Sequence, residues 1–277
     1  MSCYNINYIK YLPLSNAFKE MIKKINVIYS AINFRMIFIV VETLVIYFFY
    51  DKFNFNLQID FTILSIAIVF PLVFSITSAY QKRQEAIGEF NSFRNKMIEL
   101  SNLFRAVDGT NTKEYTSFFK TLLGLQDDVL NILTDKGTLT MAHIRSKRKE
   151  IFYFLENYKN LYNEREKDSI IRVKNELFEC VEKLNTLKIH STPISLRLYC
   201  LVFIYLSPLV YNSNILASFD KNNFLELVVS IFFSIIIGFI LMALYNIQEY
   251  IEDPFDQEGL DDLKFDEMLV GDNEVLE

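Results

Sequence analysis

Only two histidines, His143 and His190, occur in the 277 residues, and neither sits in a motif that would pair it with a nucleophile or a metal partner. Acid–base and nucleophilic catalysis need a positioned base, so both read as ordinary polar residues. Cys3, Cys180 and Cys200 are odd in number and widely separated. That spacing disfavours a disulfide framework and a thiolate metal site, and it fits a reducing compartment. Glycines at 88, 109, 124, 137, 238, 259 and 271 never cluster into a phosphate-cradling loop or a dinucleotide fingerprint. An enzyme is therefore disfavoured, and no cofactor is required. Carboxylates are the one reactive type in quantity: residues 249–277 carry twelve Asp and Glu against the single Lys264. Set against the formal net charge of −6, this acidic segment leaves the preceding chain at about +5. The balance lacks the dense basic face that a nucleic-acid partner needs. Glu42 is a carboxylate out of place, because it interrupts an apolar run. A groove or a neighbouring chain would accommodate it as readily as a conducting path.

The elements that carry these residues are helical. The composition is 51% hydrophobic and 15% aromatic, with 26 Phe, 16 Tyr, only 7 Gly and 5 Pro, which is poor material for a disordered or turn-rich all-β chain. Phe61–Ala79 and Leu227–Tyr245 each run nineteen residues without a charge, close to the length that crosses a hydrocarbon core. Met36–Tyr50, interrupted by Glu42, and Leu198–Tyr211, extendable through Phe219, are weaker versions of the same signal. The expectation is an all-α integral membrane protein with four transmembrane helices, over about 36–50, 58–80, 196–217 and 225–247. A soluble protein with long core helices is the competing reading. Four crossings return the chain to its starting side. Residues 81–191 hold nineteen Lys and Arg, and Lys19, Lys23, Lys24 and Arg35 precede the first span, whereas the opposite loops offer Lys52 and Lys221. The positive-inside bias, strongest at Lys82, Arg83 and Arg197, makes that side the cytoplasm. The expected location is the cell membrane, multi-pass, with both termini cytoplasmic and no cleavable signal, since residues 1–30 are too polar for an apolar signal core.

Cytoplasmic helices are expected over about 81–191. Apolar residues recur at helical spacing in Phe93–Phe104, Tyr115–Leu133, Ile151–Tyr162 and Ile170–Leu187, with breaks at Asp108-Gly109, Asp135-Lys136-Gly137 and around Asp168. Asn111 followed by Glu114 predicts a reciprocal helix cap. No repeat and no Pro/Gly/Ser-rich linker sets this stretch apart, so residues 1–277 are expected to form a single channel-like architecture.

Three features in order resemble the bestrophin family: Ser78-Ala79-Tyr80-Gln81-Lys82-Arg83-Gln84-Glu85-Ala86 after the second span, Thr192-Pro193-Ile194 entering the third, and Ile251-Glu252-Asp253-Pro254-Phe255 after the fourth. The family commonly shows (Ser/Cys)-Tyr-x-Arg-Trp-Trp-Glu, Thr-Pro-(Ile/Leu)-Pro and Asp/Asn-Pro-Phe followed by acidic residues at these places. Pro254 and Phe255 belong to the most specific of the three. The resemblance covers about residues 30–268. Lys82 stands at the family arginine, Arg83 and Gln84 replace the two tryptophans, and Ser195 replaces a proline. The link Asp256-Gln257-Glu258-Gly259 is longer than the family's. This marks a divergent, prokaryotic-type member.

The resemblance implies a homopentameric ion channel whose second span lines a narrow hydrophobic neck, and register on Tyr80 puts Ile66, Phe70 and Phe74 at the neck. Spaced i, i+4 and i+8, they share one helix face; without the family, such a face reads as helix packing or lipid contact. Rings of Ile and Phe dewet a pore, and phenyl edges favour anions. Chloride or another small anion is thus the expected cargo, with a monovalent cation channel or a non-conducting membrane scaffold as alternatives. Pro71, within the same span, is a hinge or a mere kink. The resemblance also points to Asp253, Glu258, Asp261 and Asp262 as the place where animal bestrophins bind calcium. These residues supply hard oxygen ligands, but a diffuse acidic vestibule is the favoured reading.

Overall fold

The computed structural model describes residues 33–53, 61–107, 111–190, 193–219, 223–257 and 262–271, and all regular structure among them is helical. In chain order these helices are α1 (Phe34–Phe53), α2 (Phe61–Arg105), α3 (Thr112–Leu133), α4 (Met141–Asn157), α5 (Glu164–Ile189), α6 (Ile194–Ser218), α7 (Phe224–Ile251) and the short α8 (Phe265–Met268). The expected spans 36–50, 196–217 and 225–247 fall within α1, α6 and α7, and α2 carries the expected span 58–80 from residue 61 onward, residues 58–60 lying outside the described residues.

The expected continuation of the second span into the helical region from about residue 81 takes the form of one unbroken helix. α2 runs 45 residues from its apolar start into its amphipathic end. Gln81–Ala86 is made of strong helix formers, and nothing in it can stop the helix. Buried positions recur three, four or, between Ala79 and Ala86, seven apart along this length, at Ile68, Leu72, Ser75, Ala79, Ala86, Phe90, Phe93, Met97, Leu100 and Phe104, which keeps them on one helical stripe. α3 opens with the expected cap: Glu114 N–H donates to Asn111 Oδ1 at 3.0 Å, and Asn111 N–H to Glu114 Oε2 at 3.1 Å. Asp135, with φ at 52°, turns the chain after α3 as expected. The break expected around Asp168 lies earlier. Asn163 and Glu166 form a second reciprocal cap, at 2.9 Å each way, so Asp168 sits inside α5. The break expected at Asp108-Gly109 lies outside the described residues.

The chain divides into two compact units. The first takes residues up to Leu72 together with Tyr199–Ile247. Its interior is polar where helices meet. Thr43 and Tyr211 hydroxyls lie 2.9 Å apart, those of Tyr47 and Ser230 2.5 Å apart, and Asn212 Nδ2 donates to the Thr43 carbonyl at 3.1 Å. Gly238 lets α7 approach this seam: a Cβ there would stand 2.9 Å from Tyr211 Oη and 3.1 Å from Thr43 Oγ1. Outward-facing positions carry Phe34, Ile37, Val45, Phe48, Ile63, Val202, Phe232 and Ile240. These hydroxyls and amides are buried beside apolar side chains such as Met36, Ile39, Ile204 and Met242, and the large apolar side chains on the outside are a surface that lipid suits better than water. Among the described residues, α7 is long and apolar enough to cross a membrane by length and composition, and a second such window lies in the run that ends with α6 at Ser218.

The second unit takes Val73–Leu198 and the chain from Gln248 onward, and it is built the ordinary way. Phe90, Phe93, Phe104, Phe118, Leu122, Ile151, Leu177 and Leu184 form a dry core, and charged residues pair on its surface. Lys96 reaches both Glu99 and Glu176, and Lys183 both Glu89 and Glu179.

Candidate functional site

Ile66, Phe70 and Phe74 stand on the face of α2 opposite its buried stripe. They are 51%, 57% and 63% exposed, whereas Ile68, Leu72 and Ser75 between them are essentially covered. All three side chains are thus more than half exposed on one side of α2. Pro71 sits on the same helix without ending it. A proline cannot donate to the carbonyl four residues earlier, which here is that of Ala67. The Tyr199 hydroxyl of α6 donates to that oxygen at 3.3 Å. Sequence reading missed Tyr199, because a tyrosine in an apolar run carries no signal of which carbonyl it will meet. On α1, one carboxylate oxygen of Glu42 is buried without a hydrogen-bond partner.

The segment after α7 is held down rather than trailing in solvent. Phe255 is fully buried in the core of the second unit with Leu263, Phe265 and Val270, and Pro254 is buried beside it. Asp253 Oδ1 accepts from the Phe255 N–H at 3.1 Å, a turn made by the Asp side chain itself. Gln257, at φ 62°, donates from Nε2 to the Leu263 carbonyl at 2.8 Å. Gln126 of α3 exchanges hydrogen bonds with the Val270 backbone, accepting its N–H at 3.0 Å. The Asp-Pro-Phe element thus anchors a strap, with its aromatic ring as the plug.

Beside the strap lies a charged knot that sequence reading did not assemble. Arg197 Nη1 meets the nearly buried Glu252 carboxylate at 2.5 Å, and Gln248 Nε2 donates to the same oxygen at 3.2 Å. Burial pushes the Lys82 amine down from its ordinary value, and Asp253 and Glu252 act in the opposite sense. Lys82 thus sits in the field of the acidic turn that follows α7. Arg197 and Glu252 are 55 residues apart along the chain and Lys82 lies further still, so no local spacing announces this grouping. Of the four acidic positions named above, Glu258 and Asp261 lie outside the described residues. Among the described residues, no three His, Cys, Asp or Glu side chains converge as a metal-ligand set.

No protein-family model matches the sequence, and no curated protein matches it either. Solved structures do match. A bacterial bestrophin homologue from Klebsiella pneumoniae aligns at 16% identity over 85% of this chain and 93% of that one, with a TM-score of 0.71. A single-residue variant of that homologue aligns at 14% identity over 85% and 95%, with a TM-score of 0.70. A structure described only as a variant membrane protein aligns at 14% identity over 85% and 93%, with a TM-score of 0.71. The chain has the bestrophin fold, in a divergent sequence.

Proposed function

We propose that this chain is one subunit of a homopentameric, passive ion channel of the cell membrane. It conducts chloride or another small anion through a neck lined by Ile66, Phe70 and Phe74. The observation that carries the reading is the more than half exposed Ile66, Phe70 and Phe74 on one side of α2, set among helices whose exposed positions are largely apolar. A single α2 encloses nothing, so five copies arranged about an axis give those residues a pore to line. In this reading α1, α2, α6 and α7 are the four spans, both termini are cytoplasmic, and the second unit is the cytoplasmic region of one continuous channel architecture. Pro71 marks the place where the neck helix bends. The partners are inorganic ions, lipid and four further copies of the chain, with no nucleic acid. No catalysis and no cofactor are required. Asp253, Glu258, Asp261 and Asp262 act as an acidic vestibule, and calcium binding there is the lesser reading. The acidic segment also favours the second reading, a monovalent cation channel, by concentrating cations at the cytoplasmic mouth. Mass measurement on detergent-extracted protein tests the assembly: five subunits are expected, and a monodisperse monomer or dimer contradicts the channel.

A further inference from the structure

Two of the apolar helices contain an internal proline, and each proline leaves a carbonyl without its helical donor. In α6 this is the Ile204 carbonyl, freed by Pro208, and the repair is local: the buried Ser207 hydroxyl donates to it at 2.7 Å. In α2 it is the Ala67 carbonyl, freed by Pro71, and the repair comes from another helix, through the Tyr199 hydroxyl of α6 at 3.3 Å. An unpaired carbonyl away from water is costly, so intramembrane prolines persist where a neighbouring group takes the freed oxygen. The two repairs have different mechanical consequences. Ser207 moves with its own helix. Tyr199 ties α2 to α6, and any change of bend at Pro71 that carries Ala67 away must break the bond.

We infer that Tyr199 is a positioning residue for the neck: its hydroxyl latches the carbonyl that Pro71 releases and so fixes the bend of α2 at which Phe70 and Phe74 are presented. The inference rests on the channel reading for its consequence in current, but the latch itself does not. The residue touches no ion. It acts through the backbone one turn before the proline, between Ile66 and Phe70. Because one hydrogen bond is at stake, its loss shifts the balance of bent and relaxed helix about fivefold.

The test is a double-mutant cycle on the purified assembly, read by thermal midpoint and by single-channel current. Tyr199→Phe keeps the ring and removes the donor, while Pro71→Ala restores an N–H to the Ala67 carbonyl and makes the latch redundant. Tyr199→Phe is expected to lower the thermal midpoint and to shift the open–closed ratio about fivefold in the Pro71 background. Both effects should vanish in the Pro71→Ala background. Tyr199→Phe combined with Pro208→Ala should be additive, because that carbonyl has its own serine. Equal effects of Tyr199→Phe with and without Pro71 overturn the latch. Coupling in the thermal midpoint with an unchanged open–closed ratio overturns the positioning role. Coupling in the midpoint of an assembly that carries no current in any variant upholds the latch and refutes the channel reading instead.

Discussion

Tyr162 ends in a hydroxyl that is buried without a hydrogen-bond partner, and burial pushes that hydroxyl up to about 12. An unpaired buried donor destabilises the folded state, so Tyr162→Phe should leave stability at neutral pH unchanged or raise it by about 1 kcal/mol. The pH dependence has a definite sign. The unfolded tyrosine ionises near its model value of 10.0 and the folded one only near 12, so the folded state loses stability as pH rises through that window. Thermal melts at stepped alkaline pH should show a shallower decline for Tyr162→Phe than for the parent. A lower midpoint at neutral pH with an unchanged alkaline limb would contradict this. The environment of Tyr162 was not legible in the sequence, because helical spacing carried the expected helix through it. In the structure α4 ends at Asn157 and Tyr162 follows a turn closed by the Leu161 N–H on the Tyr158 carbonyl. Spacing records which residues are apolar, and a terminal hydroxyl's partner is a matter of tertiary packing. The same reason hid Tyr199 and the Arg197–Glu252 pair.

Helices were the most legible level. Charge-free runs placed the apolar helices, and the Asn111–Glu114 pair located the start of α3, because both are local properties of the chain. The Asn163–Glu166 pair has the same spacing and went unread, which moved one break onto Asp168. α2 runs on past residue 81 because the change from apolar to amphipathic composition marks a change of surroundings, whereas only a breaker residue ends a helix. α2 is also the element on which the neck prediction rests. Replacing Ile66, Phe70 and Phe74 together by Ala removes three side chains that are more than half exposed. The fold should therefore survive while the neck widens and hydrates, and conductance or open probability should rise. Currents unchanged in a folded, fully assembled triple variant would assign this face to lipid or to another helix.

One unit exposes large apolar side chains and the other encloses an apolar core under charged surface residues, and no Pro/Gly/Ser-rich linker separates them in the sequence. The strap after α7 belongs to the second of these, and its anchoring by Phe255 and by Gln126 of α3 joins residues more than a hundred positions apart, which no local pattern can foretell. If its carboxylates act as a field, neutralising Asp253, Glu258, Asp261 and Asp262 should alter rectification, and the effect should weaken with salt as the Debye length shrinks from about 10 Å at 0.1 M to about 3 Å at 1 M. A micromolar calcium response that is abolished by the same substitutions and insensitive to salt would establish a calcium site in its place. The central claim is anion passage through a neck of Ile and Phe rings, and the reversal potential of purified protein in a planar bilayer under a chloride salt gradient tests it most directly. The account predicts a reversal potential displaced toward the chloride equilibrium potential; displacement toward the cation potential, or a bilayer holding assembled protein that passes no current, would contradict it.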